Sequence, residues 1–169
     1  MGVTIHFEGR LLDRECLTKA MDVANALAKK QGWPAESISA AERKLARVRD
    51  EQNWDYVGPV EGVAFYPAED CEPVRLEFDR DLYLQEYTKT QFAGPAVHVS
   101  VVELLRTLEP FFVSLRVEDE GEYWETNRLE LLERHLTRCD NVLQEIVASR
   151  PGVQAKVKLP SGRIIDYMT

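Results

Sequence analysis

The sequence predicts an α+β fold: a single globular domain over residues 1–169 whose mostly antiparallel or mixed sheet carries its helices packed on one face. Three observations lead there. Short stretches near both ends and in the middle alternate apolar and polar residues, the period of a half-buried strand. Two long stretches repeat apolar residues at three and four, the period of a helix. The strand-like stretches also follow one another through the middle of the chain, which argues against a regularly alternating, doubly wound arrangement. At 169 residues there is enough chain for one sizeable core, since a domain takes roughly 100–200 residues.

Val3, Ile5 and Phe7 alternate with polar neighbours over residues 3–8, which places His6 on the opposite face. Cys16, Leu17, Ala20, Met21, Ala24, Leu27 and Ala28 form a helical stripe over residues 12–30, with Asp13 as its cap and Gly32-Trp33-Pro34 as its stop. Ser39 and Glu42 have capping-box spacing, predicting a second, short helix through Asp50. Gly58-Pro59 interrupts the β-like run 56–66 and suggests a bulge, an edge or two short strands. Residues 74–78 and 82–87 alternate on either side of Asp79-Arg80-Asp81, as a hairpin or meander would.

Pro95 stands where a helix can begin, and Val101, Leu104, Leu105 and Leu108 continue it to Pro110, although Val97, Val99 and Val101 also fit a strand. Residues 111–117 read as extended. Asn127 and Glu130 resemble another capping box before Leu129, Leu132, Leu136, Cys139, Leu143 and Ile146, the clearest helical stripe in the chain. Ser149-Arg150-Pro151-Gly152 ends it, and Pro160-Ser161-Gly162 joins two last strands into a hairpin.

The formal charge of −8 is unevenly spread: +1 over residues 1–53, −12 over 54–148 and +3 over 149–169. An acidic middle repels phosphate backbones and attracts basic proteins or cations, so no nucleic acid is expected as partner. No apolar run is long enough to span a bilayer, and no membrane partner is expected either. The first residues lack a basic-then-apolar leader, and the three widely spaced cysteines suit reduced thiols. Both features predict a cytoplasmic protein.

The acid concentrates in residues 117–127. Glu118, Asp119, Glu120, Glu122 and Glu125 surround Tyr123 and Trp124, and these seven residues are the expected partner-binding set. Large rings anchor interfaces at low rotamer cost, and carboxylates around them steer a cationic surface. At least one of the two rings should be largely buried. The expected function is a non-catalytic protein-interaction domain that presents this acidic, aromatic-containing surface to a basic protein, inhibitor-like or immunity-like only by analogy of composition.

Two alternatives stand beside it. One is a carboxylate-based hydrolase dependent on a divalent cation, in which Asp79, Asp81 and Glu86 would approach the acidic run across a sheet. The other is a structural homodimer seamed along the leucine stripe at 129–146. No cofactor, metal ligand or catalytic residue is assigned: the acidic run lacks the EF-hand register, and no His-Glu-x-x-His helix, nucleophile elbow or phosphate loop is present. Cys71 lies among carboxylates and should be an inert thiol, while Cys16 and Cys139 fall on apolar stripes. His135 and Cys139, four apart, make only half a metal site, and His6 and His98 show no acid or nucleophile partner in the sequence.

Overall fold

The structure is a computed structural model that describes residues 2–169, and its fold is α+β. In chain order the elements are β1 (Thr4–Leu11), α1 (Arg14–Gln31), β2 (Ala35–Leu45), β3 (Val48–Arg49), β4 (Gln52–Asn53), β5 (Tyr56–Phe65), β6 (Val74–Phe78), β7 (Tyr83–Lys89), α2 (Pro95–Leu108), β8 (Phe112–Asp119), α3 (Tyr123–Thr126), α4 (Leu129–Ser149), β9 (Gln154–Lys158) and β10 (Ile164–Met168). All strand pairs are antiparallel. None of the described helices is long and apolar enough to cross a membrane.

β1 is the centre of a three-stranded sheet in the order β7-β1-β8, and its alternation is the predicted one. Ile5, Phe7 and Leu11 point inward and join the apolar faces of α1 and α2 in the main core, while His6, Glu8 and Arg10 point outward. Asp13 caps α1 by accepting from the Cys16 amide at 2.8 Å, and Gly32 ends it in the left-handed conformation at φ 75°. Both signals were legible because each acts within four residues. A second sheet, β2-β5-β6, contributes Phe65, Leu76 and Phe78 to the same core, and β9 and β10 form the predicted hairpin.

The predicted helix from Ser39 through Asp50 is instead β2 followed by the small β3-β4 hairpin. A helix there would bury little, since the stretch holds few apolar residues. As a strand it pairs with β5 from Ala35↔Phe65 to Leu45↔Tyr56, and Ile38 packs against Val60 and Ala64. Long-range pairing overrides the local capping signal. The irregularity suggested by Gly58-Pro59 falls on β2, whose register shifts between Ala40 and Arg43. Asn127 is no cap of α4 either: it closes α3 in the left-handed conformation, and Arg128 precedes α4 without a side-chain cap.

β6 and β7 are consecutive but do not form the expected hairpin. The turn closes through the Asp79 amide donating to the Tyr83 carbonyl at 3.0 Å, after which β6 joins β5 and β7 joins β1. β7 is therefore an edge strand, and arginines cover its free edge. Arg47 donates to the Tyr83 carbonyl at 3.2 Å and to Asp79 at 2.6 Å, with its side chain only 2% exposed. Arg163 donates to the Tyr87 carbonyl at 2.7 Å and pairs with Glu86 at 3.0 Å and Glu72 at 3.2 Å. Arg43 pairs with the buried Glu77 alongside.

Asp79→Ala leaves the Arg47 guanidinium buried without its counter-ion, which is expected to cost about 3–5 kcal/mol. Urea unfolding should show the midpoint falling accordingly, and an unchanged midpoint would contradict the role given to the pair.

Candidate functional site

β8 runs out at Asp119, whose side chain turns back into the protein instead of outward. Its Oδ1 accepts from the Gly121 amide at 2.7 Å, and Oδ2 accepts from the amides of Tyr123 and Trp124, each at 2.9 Å. Oδ2 also lies 3.0 Å from Nε2 of His98, which α2 carries beneath the loop. Gly121 is required by space: a Cβ there would stand 2.6 Å from Leu132 and 3.0 Å from the His98 ring. Arg106, about two turns further along α2, donates to the carbonyls of Tyr123 at 3.3 Å and Trp124 at 3.0 Å. Its guanidinium lies 5.6 Å from each ring, within cation–π reach.

His98 makes a second contact, with Nδ1 2.7 Å from the Thr90 hydroxyl. With its proton on Nε2, the imidazole donates to Asp119 and accepts from Thr90. Hydroxyl, imidazole and carboxylate at these distances have the spacing of a nucleophile–base–acid array. Burial decides against that use. Thr90, the His98 side chain and the Asp119 side chain are all 0% exposed, and none of the three lines a principal surface cleft. A substrate carbonyl has no route to Thr90, so the array positions the loop.

Burial alone pushes the Asp119 carboxyl up, but the hydrogen bond from His98, joined by the amides of Trp124 and Gly121, outweighs it and holds the group below its ordinary value. The Asp119 side chain is buried and faces inward, unlike the exposed position assumed for it in the expected binding set. The other four carboxylates are exposed. Glu118 pairs with Arg116 on the outer face of the sheet. Glu120 accepts from the Thr4 amide at 2.9 Å and stands 4.0 Å from His6. Glu122 meets His135 of α4 at 2.5 Å. Glu125 forms no ion pair among the described residues. Tyr123 and Trp124 are both partly buried and pack against the main core.

All three histidines of the chain therefore touch carboxylates of one loop, from β1, α2 and α4. No partner for His98 is legible in the sequence, because Asp119 is 21 residues away and comes close only through tertiary packing. The usable signal was a histidine inside the apolar face of a helix, since a buried imidazole needs polar partners.

The outer face of β7-β1-β8 carries a cleft of about 580 Å³ lined by His6, Glu8, Tyr87, Arg116, Glu118 and Arg163, among others. Burial raises the Glu8 carboxyl, but hydrogen bonds from Gln85 and Tyr83 and the charge of Arg116 leave it lowered on balance. Glu86 is raised, with burial outweighing Arg163. Of the acids expected to approach the run, Glu86 shares this cleft with Glu118. Asp79 and Asp81 lie at the other end of β7. Among the described residues no three His, Cys, Asp or Glu side chains are grouped to hold a metal ion. Cys71 is buried, and burial followed by Glu72 pushes its thiol up to about 12.

No family model, curated protein or solved structure matches this chain.

Asp119→Asn should cost about 2–3 kcal/mol, the scale of a hydrogen-bonded charge lost from the interior. The folded carboxyl titrates below an unfolded aspartate, so the unfolded chain binds the extra proton and stability falls as pH drops from about 4 through the folded value. Denaturant titrations between neutral and acidic pH should show a shallower acid loss in Asp119→Asn than in wild type. Equal slopes would contradict the anchoring role.

Proposed function

We propose that this chain is a non-catalytic protein-interaction domain that meets a basic partner through the rim of its 118–125 loop. The observation that supports this reading is the division of the acidic run: Asp119 turns inward and fixes the backbone, while Glu118, Glu120, Glu122 and Glu125 project outward. The side chains set against three of the four are one exposed arginine, Arg116, and two histidines. Three basic side chains thus face four carboxylates, so the rim keeps an excess of negative charge. A preformed rim loses little entropy on binding, and its field speeds encounter with a cationic surface. Tyr123 and Trp124, half-buried beneath Arg106, give the rim an aromatic floor. A basic surface fits this site by charge, whereas a polyphosphate is opposed by the chain's −8.

Affinity capture from the source cells tests the reading with Glu118→Lys/Glu125→Lys, which leaves the Asp119 anchor intact. A control of the same net charge, Glu42→Lys/Glu145→Lys, reverses two exposed carboxylates elsewhere. Basic proteins retained by wild type and the control should be lost, at least tenfold, by the loop variant. Equal recovery by all three would reject the proposal.

A further inference from the structure

Arginines collect at the opposite end of the same outer sheet face. There the cross-strand row is Tyr83–Arg10–Ser114, two rows of outward side chains away from Tyr87–His6–Glu118. The β3-β4 hairpin closes over this end, held by Gln85, which accepts from the Val48 amide at 2.9 Å and donates to the Val48 carbonyl at 2.8 Å. Between the hairpin and the sheet lies a second cleft of about 550 Å³. That volume falls within the roughly 300–1,000 Å³ usual for small-ligand sites.

Its walls are aromatic, and Arg10 and Arg49 are exposed at its rim. Trp54 is 40% exposed and stands edge-on to Tyr83 at 5.8 Å. The Arg49 guanidinium lies 3.6 Å from the Trp54 ring centroid, which leaves the N–H donors at its edge free to chelate an anion. Arg10 stands beside Tyr83 across the β1-β7 pairing. Neither Arg10 nor Arg49 takes part in any ion pair among the described residues.

Deeper in the wall, Arg47 is 2% exposed amid the rings of Trp54, Tyr56 and Tyr83, and its Nε has no hydrogen-bond partner among the described residues. Most of the carboxylates lining the cleft are already engaged: Glu8 by Arg116, Asp55 by Lys44, and Asp79 by Arg47. Asp81 alone has no cationic partner among the described residues, so two unpaired guanidinium groups face one unpaired carboxylate. The cleft's lining holds four arginines and four carboxylates, so in a chain of net charge −8 this surface is locally balanced, with Arg10 and Arg49 free of ion pairs among the described residues.

We infer that the cleft bounded by Arg10, Arg47, Arg49, Trp54 and Tyr83 binds a compact organic dianion of the phosphate-monoester or dicarboxylate class. Arg10 and Arg49 take the anionic oxygens, as paired guanidinium groups do for such ligands, and the aromatic wall covers the ligand's carbon skeleton. The small volume and the surrounding acidity select a small molecule over a nucleic acid.

Titration of tryptophan fluorescence tests this with glycerol 3-phosphate, adenosine monophosphate and succinate, each at matched ionic strength, and with a hexaglutamate peptide as a separate arm. At least one of the three small probes should give a saturable change. Arg10→Gln and Arg49→Gln should each weaken it tenfold or more, while Lys29→Gln, exposed at the end of α1, should leave it unchanged. Both arginine side chains are unpaired, so their replacement spares the fold, which an unchanged melting temperature verifies. Absence of saturation with all three probes, or equal affinity in the arginine variants, would overturn the inference. Binding of hexaglutamate without binding of the small dianions would make the cleft a docking surface for an acidic protein segment and would overturn it as well.

Discussion

A carboxylate sealed from water organises the most acidic part of this chain. Asp119 satisfies both oxygens with three backbone amides and one imidazole, and each of those donors belongs to a segment that must be in place before the others fit. The arrangement binds the end of β8 to α2, sets the direction of α3, and leaves Gly121 against Leu132 of α4. A buried charge short of donors is costly, so the loop has few alternatives to this path. Strand alternation does the rest: with Asp119 turned inward, its neighbours Glu118 and Glu120 face solvent.

Guanidinium groups play the complementary part at the divergence of the two sheets. Antiparallel strands joined by a short turn normally pair, yet β6 and β7 separate after Asp79, and the exposed edge of β7 needs donors for its carbonyls. Arg47 and Arg163 supply them near the two ends of the strand and are themselves balanced by Asp79, Glu72 and Glu86. Positive charge is thereby drawn inside, and the outer face of β7-β1-β8 is left graded. Glu118 and Glu120 stand at one end, and Arg10 and Arg49, free of ion pairs among the described residues, stand at the other.

Local signals were legible and nonlocal ones were not. The caps and stripe of α1, the proline that starts α2, the stripe of α4 and the final hairpin depend on residues a few positions apart, and all are where the sequence puts them. Ser39 and Glu42 mislead because a capping-box spacing carries no information about β5, the partner that makes this stretch a strand. Asn127 misleads for the related reason that it serves the short helix before it. Within 117–127 the composition treated five carboxylates alike. Only tertiary contacts separate Asp119, held by His98 below, from the four that face outward.

Native-state amide hydrogen exchange measures the anchoring of this loop most directly. If Asp119 holds the turn as the hydrogen bonds indicate, the amides of Gly121, Tyr123 and Trp124 exchange as slowly as the buried turn of α2 around Val102 and Leu105, since both open only with the core. Exchange of those three amides at the rate of an unstructured loop, while α2 stays protected, would contradict the anchored rim on which the proposed interaction surface depends.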